Sequence, residues 1–126
     1  MSPWPESLYT FEQMWPRLAE HAHLIAIDLP GFGHSERRDD LLTSSAMGEF
    51  VAHLIEAFGL KQPHAVGPDI GTSTLLFTAA NHPGILRSIV IGNGTTSRRL
   101  TSPRTIEAVQ CRVLRQTTRA SLLPQR

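Results

Sequence analysis

The sequence predicts an α/β fold, with a parallel β-sheet flanked by helices, and three observations predict it. Short buried apolar runs alternate with longer helical stretches, turn residues separate them, and no internal repeat is visible. The chain has 126 residues, of which 40% are apolar and 18% are charged. That length suits one compact domain but is below the roughly 200–250 residues that complete α/β enzymes often need. We therefore expect part of an α/β core.

Three short segments are predicted strands. Residues 23–29 carry two isoleucines and end at the turn-rich residues 30–33, a pattern typical of a strand that is buried on both faces. Residues 64–67 follow Pro63, and residues 87–91 form a run rich in β-branched side chains. Because helices separate these segments, the strands are expected to pair in parallel through right-handed crossovers.

Helices are predicted before and between these strands. The first covers about residues 11–21 and starts nearer Trp15, because Pro16 is tolerated only in a first turn. The second runs to about residue 60, with Gly59 at its end, and the third covers about residues 72–81. The second has N-cap candidates and then a broad apolar face. The candidates are Thr43, Ser44 and Ser45, and the face is Met47, Phe50, Val51, Leu54, Ile55 and Phe58.

Charge divides the chain into two parts. Residues 1–94 hold ten acidic and five basic side chains, whereas residues 95–126 hold one acidic and seven basic ones. We therefore interpret 1–94 as the core and 95–126 as a basic, poorly ordered tail, with at most a weak helix over 104–115. The tail has no aromatic residue for base stacking, which argues against a nucleic-acid contact.

Other sequence features limit the class of protein. No apolar run is long enough to span a membrane, and the single Cys111 excludes an internal disulfide. The amino-terminal residues lack the basic and apolar regions of a secretory signal, so the expected location is cytoplasmic. His21 and His23 could share a metal ion, but no further ligand stands at a suitable spacing, and two exposed histidines are the preferred interpretation. No cofactor is expected.

The segment Gly67-Pro68-Asp69-Ile70-Gly71 is the feature that indicates chemistry. It follows a predicted strand and opens a predicted helix, which is the setting of a nucleophile elbow. Such a turn holds its central residue in a strained conformation and needs small residues two positions before and after it, as Gly67 and Gly71 are. Aspartate tolerates positive φ better than most residues. The sequence therefore predicts that Asp69 is presented at the tip of the turn.

A carboxylate at that position implies a particular reaction. Aspartate side chains are normally ionised at neutral pH and need no base for activation. Asp69 would attack an electrophilic carbon and form an ester, which a histidine-activated water must then hydrolyse. The backbone N–H of Ile70, at the helix N-terminus, is the expected donor to an oxyanion. The alternative is that Asp69 only caps the helix, as aspartates often do.

Several motifs in order resemble the α/β-hydrolase superfamily, especially its epoxide hydrolase and haloalkane dehalogenase branch. They are W-P-E-S at 4–7, W-P-R-L at 15–18, D-L-P-G-F-G-H-S at 28–35, F-V-A-H-L-I-E-A-F-G-L at 50–60, and the segment from H-A-V-G-P-D-I-G-T-S to A-A-N-H-P-G-I-L-R-S-I-V-I. The resemblance covers about residues 4–94 and implies a partial α/β-hydrolase core. The resemblance implies that this chain lacks the family's first strands and the later part of the family's fold.

The resemblance implies roles for individual residues. It places a second oxyanion amide on Trp4. His34 stands beside the predicted rim of the active site, and Phe32 either lines the pocket or packs under the turn. Dehalogenases of this branch typically carry tryptophan after the nucleophile, so Ile70 favours an epoxide hydrolase. The family's catalytic acid and histidine follow the nucleophile on later strands, and neither can be assigned here.

The function predicted is therefore hydrolysis of an epoxide or related small electrophile through an ester on Asp69. This chain alone is expected to be inactive, without nucleic-acid or membrane partners, and able to self-associate through exposed sheet edges. Two alternatives are a non-catalytic α/β binding module and a truncated or frame-shifted gene product. A dinucleotide site at the glycines of residues 31–33 is disfavoured, because Glu36 stands where the third glycine is needed.

Overall fold

A computed structural model of the chain describes residues 1, 3 and 5–94, and the backbone of residues 110–113. The order of elements is helix, helix, strand, helix, strand, strand. They are α1 (Trp15–Ala19), α2 (Ser44–Ala57), β1 (His64–Pro68), α3 (Ile70–Asn81), β2 (Ser88–Gly92) and β3 (Gln110–Val113), with short 3₁₀ helices at Leu8–Phe11 and Asp39–Leu41. Among the described helices, none has the length and apolar character needed to cross a membrane.

The sheet is parallel, as the sequence predicts. Its order is β1-β2-β3, and β1 pairs with β2 over its whole length, from His64 beside Ser88 to Pro68 beside Gly92. Helix α3 connects these two strands, because a parallel pair needs a crossover. The observed strands lie within one residue of the predicted ones at either end. The α/β fold class is confirmed.

Helix α2 forms where its capping residues indicate. Thr43 is the N-cap, and its side-chain oxygen accepts a hydrogen bond from the Ala46 N–H at 3.2 Å. The helix ends at Ala57, and Gly59 follows with a positive φ of 62°. Most of the predicted apolar face is buried or half-buried, but Phe58 is 57% exposed, because it lies in the C-cap where the chain leaves the helix.

The core lies between α2, α3 and the sheet. Its buried apolar residues are Leu29, Met47, Val51, Ile55, Leu75, Leu86 and Ile89. The two helices approach closely at Gly48, where a Cβ would come within 2.9 Å of the Phe77 Cβ. The Thr78 hydroxyl crosses this contact and donates to the Gly48 carbonyl at 3.0 Å. Helix α3 is therefore held by α2 on one side and by the sheet on the other.

The prediction of a strand at residues 23–29 is wrong. The segment does not form a strand in the structure, and only Asp28 and Leu29 at its end are buried. Its apolar pattern is that of a strand, but a strand exists only where a neighbour provides hydrogen bonds. Among the described residues, this segment pairs with no strand, and Ile25 is 40% exposed.

Beyond residue 94 the structure departs from the predicted weak helix. Residues Gln110–Val113 form β3, which pairs in parallel with β2 from Ser88 beside Gln110 to Ile91 beside Val113. The short run Gln110-Cys111-Arg112-Val113 thus extends the sheet, because the free edge of β2 offers it hydrogen bonds. The remainder of the predicted tail, residues 95–109 and 114–126, lies outside the described residues.

Candidate active site

The turn between β1 and α3 has an unusual backbone at Asp69. The strand ends at Pro68, the helix begins at Ile70, and Asp69 between them has φ 52° and ψ −117°. Positive φ is uncommon for a residue with a side chain, and it costs conformational energy that the surroundings must offset. The half-buried Asp69 is thus held in a tight strand-to-helix turn.

The glycines on either side of Asp69 have different roles. A Cβ at Gly67 would lie 2.6 Å from the Gly71 carbonyl oxygen, 2.7 Å from the Gly71 carbonyl carbon and 2.8 Å from Leu75 Cδ1. A Cβ at Gly71 would meet only the Met1 Cβ, at an ordinary 3.6 Å. The close approach of strand and helix therefore requires glycine at position 67, whereas position 71 has room for a methyl group.

Thr72 holds the turn to the neighbouring strand, a role that sequence reasoning missed. Its buried hydroxyl lies 2.9 Å from the Gly67 carbonyl and 3.1 Å from the Gly92 carbonyl, and it accepts from the Gly92 N–H at 3.2 Å. The Asp69 N–H donates to the same Gly92 carbonyl at 2.8 Å. One hydroxyl therefore joins the end of β1, the end of β2 and the first turn of α3.

Gly94 allows the chain after β2 to approach Thr72 and Asp69 closely. A Cβ there would lie 2.3 Å from the Thr72 Cβ and 2.6 Å from the Asp69 carbonyl oxygen. The chain after β2 therefore passes directly over the turn. A glycine soon after an apolar strand is the sequence signal that could have indicated this close approach.

Asp69 does not act as a typical helix cap. Although it occupies the N-cap position of α3, its side chain makes no capping hydrogen bond to the described residues of that helix. N-cap residues normally have extended backbone angles and accept from the second or third helical N–H. The positive φ turns Asp69 away from that geometry, which disfavours the capping interpretation.

Of the two expected oxyanion donors, Ile70 lies among the residues that the structure describes. Ile70 is the first residue of α3, so its N–H is among the amides that have no acceptor within the helix. The Ile70 carbonyl accepts hydrogen bonds from the Ser73 and Thr74 hydroxyls, each at 3.0 Å, which stabilise this first turn. Trp4, the second predicted donor, lies outside the described residues.

Asp28 organises the loop that the sequence placed at the pocket rim. Its carboxylate accepts from the Leu8 N–H at 2.7 Å and from the His34 N–H at 3.1 Å. A Cβ at Gly33, whose φ is 52°, would lie 2.2 Å from that carboxylate. Asp28 is buried and fixes this turn through these two hydrogen bonds.

The two predicted pocket residues differ in burial. Phe32 is half-buried and packs against the core cluster, whereas His34 is exposed and its ring meets Tyr9 edge-on, with ring centroids 6.0 Å apart. Neither residue lines the apolar groove that lies beside β1 in the described part of the chain. Their assignment to a substrate pocket stays a prediction.

The described residues contain no group of three or more histidine, cysteine, aspartate or glutamate side chains that could hold a metal ion. His21 and His23 are both exposed. The candidate site is therefore a carboxylate held at a strand-to-helix turn, beside helix N-terminal amides.

The chain is similar to known proteins along most of its described length. The family model of the alpha/beta hydrolase fold matches residues 4–111. The protein named as carbamate hydrolase RutD in Caulobacter sp. (strain K31) is 36% identical over 78 residues, which are 61% of this chain and 29% of that protein. The soluble epoxide hydrolase of Corynebacterium sp. (strain C12) is 30% identical over 88 residues, which are 70% of this chain and 31% of that protein.

A solved structure has the same fold. The ligand-free epoxide hydrolase CorEH superposes with a TM-score of 0.69 at 28% identity, covering 73% of this chain and 32% of that one. The chain thus spans less than a third of the length of each of these relatives. The family match also reaches residue 111, beyond the predicted boundary at 94, and includes part of the segment interpreted as a tail. The resemblance to the epoxide hydrolase branch is confirmed, and the chain belongs to the α/β hydrolase fold family.

Proposed function

We propose that Asp69 is the nucleophile of a hydrolase that acts on epoxides or related small electrophiles through a covalent ester. One observation carries the proposal: Asp69 stands at the strand-to-helix turn with φ 52°, and its carboxylate does not cap the helix that follows. A strained backbone that does not serve helix capping is typical of residues positioned for function. The similarity to epoxide hydrolases favours the substrate class.

The first chemical step would be attack by a carboxylate oxygen of Asp69 on one carbon of the epoxide ring. A new carbon–oxygen bond forms, the ring carbon–oxygen bond breaks, and the released alkoxide takes a proton from water. The product is a hydroxyalkyl ester of Asp69, which contains every atom of the epoxide. Release of the diol then requires water to attack the ester carbonyl, with the oxyanion stabilised by the Ile70 N–H.

The second step needs a general base, which in this family is a histidine that follows the nucleophile. No such residue is assigned in this chain. We therefore expect the 126-residue chain to form the Asp69 ester without steady-state turnover. The activity of a full-length relative would include both steps.

Intact-mass spectrometry with a small epoxide tests the proposal. The expected result is an adduct with the mass of the whole epoxide, located by peptide mapping on the peptide that contains Asp69. Asp69→Asn should lose this adduct, because a carboxamide is a poor nucleophile, and should keep the fold, because asparagine also tolerates positive φ. Circular dichroism and thermal unfolding would check that the variant is folded.

A matched carboxylate controls for non-specific alkylation. Asp40 has a side chain that is 61% exposed and pairs with Arg38 on the surface, far from α3 in sequence. The Asp40→Asn variant should be labelled like the unchanged chain. Adducts spread over the exposed carboxylates, and equal in Asp69→Asn, would contradict the proposal.

The preferred leaving group distinguishes an epoxide hydrolase from a haloalkane dehalogenase. Dehalogenases typically have tryptophan where this chain has Ile70, which cannot donate a side-chain hydrogen bond to a halide. We expect Asp69 to react faster with an epoxide than with a chloroalkane of the same carbon skeleton. A faster reaction with the chloroalkane, with release of chloride, would instead indicate dehalogenation.

A further inference from the structure

Two residues with a positive φ lie side by side at the carboxyl ends of β1 and β2. Asp69 follows β1 with φ 52°, and Asn93 follows β2 with φ 53°. Among the described residues, the other non-glycine residue with positive φ is Gln62, whose side chain donates to the Gly84 carbonyl at 3.1 Å. Such a backbone costs conformational energy and is common at functional sites. The position of Asn93 therefore indicates a role beside Asp69.

The backbone on both sides of Asn93 is held against the Asp69 turn. The Gly92 carbonyl, in the peptide group that precedes Asn93, accepts from the Asp69 N–H at 2.8 Å. After Asn93, a Cβ at Gly94 would lie 2.6 Å from the Asp69 carbonyl oxygen and 2.3 Å from the Thr72 Cβ. Because both neighbours of Asn93 contact the turn, the backbone of Asn93 is fixed relative to Asp69.

The side chain of Asn93 has hydrogen-bond donors that the described fold does not use. It is exposed, and none of the described residues forms a hydrogen bond with its carboxamide. The hydroxyls of Thr72, Ser73 and Thr74, which follow Asp69 in α3, instead bond backbone carbonyl groups. A carboxamide has two N–H donors. Asn93 thus supplies donors at the carboxyl ends of parallel strands, where ligands of α/β sheets bind.

The opening of an epoxide by a carboxylate requires a donor at this place. Negative charge develops on the epoxide oxygen as its bond to the attacked carbon breaks, and a donor aimed at that oxygen is worth most in the transition state. The Ile70 N–H is assigned to a different atom, the oxyanion that forms when water attacks the ester. The epoxide oxygen leaves from the far side of the attacked carbon, so its donor must come from another segment than the turn itself.

We propose that the Asn93 carboxamide donates a hydrogen bond to the epoxide oxygen while Asp69 attacks the ring carbon. This proposal rests on the proposed function of Asp69. The new bond joins an Asp69 carboxylate oxygen to the carbon, and the electron pair of the broken bond goes to the epoxide oxygen. The Asn93 N–H stabilises the resulting alkoxide, which takes its proton from water. Asn93 keeps its own protons throughout.

Two epoxides of nearly equal size test this role, propylene oxide and its fluorinated analogue epifluorohydrin. The fluorine withdraws electrons, so the alkoxide from epifluorohydrin carries less charge on oxygen and gains less from a hydrogen bond. Rates of Asp69 labelling are measured by intact-mass spectrometry on the 126-residue chain. Asn93→Gly keeps a residue that adopts positive φ and removes the carboxamide. It should slow labelling by propylene oxide about tenfold or more, and labelling by epifluorohydrin less.

Two further variants accompany Asn93→Gly. Asn93→Asp also tolerates positive φ and has no donor when ionised, so it should change the ratio of the two rates in the same direction. Gln62→Gly is the matched control, because it also replaces a positive-φ residue by glycine but lies before β1, at the other end of that strand from Asp69. Its two labelling rates should equal those of the unchanged chain. Thermal unfolding would show which variants are folded.

The outcomes separate this proposal from the one on which it rests. Equal slowing of both epoxides by Asn93→Gly and Asn93→Asp would overturn the role of Asn93, because a displaced turn slows every attack by Asp69 alike. Unchanged rates in both variants would overturn it as well. If Asp69 of the unchanged chain is not labelled by either epoxide, the proposed function fails, and the role of Asn93 fails with it.

Discussion

The two edges of β1 differ, although the same five residues form both. Toward β2 the strand is paired along its whole length, and Thr72, Gly92 and the Asp69 N–H join its end to the neighbouring strand and to α3. On the opposite edge, the Val66 carbonyl accepts a hydrogen bond from the Met1 amino group. The paired edge gives a rigid turn that presents Asp69, and the other edge borders an apolar groove that residues 23–27 also line. The geometry of the turn thus depends on local packing and on β2.

The largest effect is expected where β1 and α3 are closest. Gly67→Ala would place a Cβ within 2.6–2.8 Å of Gly71 backbone atoms and Leu75 Cδ1. Overpacking of this kind typically costs about 1–3 kcal/mol, and contact with backbone atoms favours the upper end. Urea unfolding should show a lower midpoint, and labelling of Asp69 by an epoxide should slow.

Gly71→Ala is the control for that prediction. Its Cβ would have an ordinary 3.6 Å contact with Met1, and alanine is favoured over glycine in helices by roughly 0.5–1 kcal/mol. We expect unchanged or slightly higher stability. Equal losses for Gly67→Ala and Gly71→Ala would show that the close approach of strand and helix is misplaced.

Thr72 is expected to have the next largest effect. Thr72→Val keeps the shape but removes the hydroxyl that bonds the Gly67 carbonyl and the half-buried Gly92 N–H, and loss of a hydrogen-bond partner by such groups costs about 1–3 kcal/mol. Thr72→Ser keeps the hydroxyl and loses one methyl group, worth about 0.8 kcal/mol. Denaturant midpoints should therefore rank the unchanged chain first, then serine, then valine. A valine variant as stable as the serine variant would remove Thr72 from the account of the turn.

The far end of α3 has exposed polar contacts in place of buried ones. Asn81 and His82 contact Glu49 of α2 at 2.7 and 2.8 Å, and the hydrogen bonds from Asn81 and then His82 lower the pKa of Glu49. A carboxylate whose pKa is lowered by folding stabilises the fold above its unfolded pKa, and this contribution is lost as the pH falls through the folded pKa.

Glu49→Gln should therefore lower the melting temperature slightly at neutral pH and have no effect at a pH below the folded pKa of Glu49. Melting temperatures of the two proteins measured from pH 7 down into the acidic range would test this. Because these contacts are exposed, added salt should reduce the neutral-pH difference. A difference in melting temperature that grows toward acidic pH would contradict this prediction.

The smallest effect is expected at the open edge of β1. Val66 is 49% exposed, so Val66→Thr should change the free energy of unfolding by no more than about 0.5 kcal/mol, as surface substitutions usually do. Threonine keeps the β-branched shape that strands favour. A loss of more than about 1 kcal/mol would mean that this edge is already covered in solution.

The sequence predicted the turn well because its determinants are local. The apolar run at 64–67, the two glycines around Asp69 and the helix to Asn81 follow from neighbouring residues, and the observed elements agree closely. Thr72 was missed because its partner Gly92 is twenty residues away in sequence. Nothing in the local pattern indicates that contact.

The pairing of two other segments could not be predicted for the same reason. Residues 23–29 have a strand's composition but pair with no strand among the described residues, whereas Gln110–Val113 lie in a segment predicted as a weak helix and pair with β2. Whether an extended segment becomes a strand depends on the hydrogen bonds that a distant segment offers. The role of Asp69 stays a prediction, because presentation of a carboxylate is necessary for attack but does not demonstrate it.

The most direct measurement is amide hydrogen exchange along β1 in the 126-residue chain. The difference between the two edges predicts slow exchange for Ala65 and Gly67, whose N–H groups face β2, and exchange faster by at least about tenfold for His64 and Val66. Alternation of fast and slow amides along one short strand would confirm that β1 is held on one edge only. Equal protection of all four amides would contradict it.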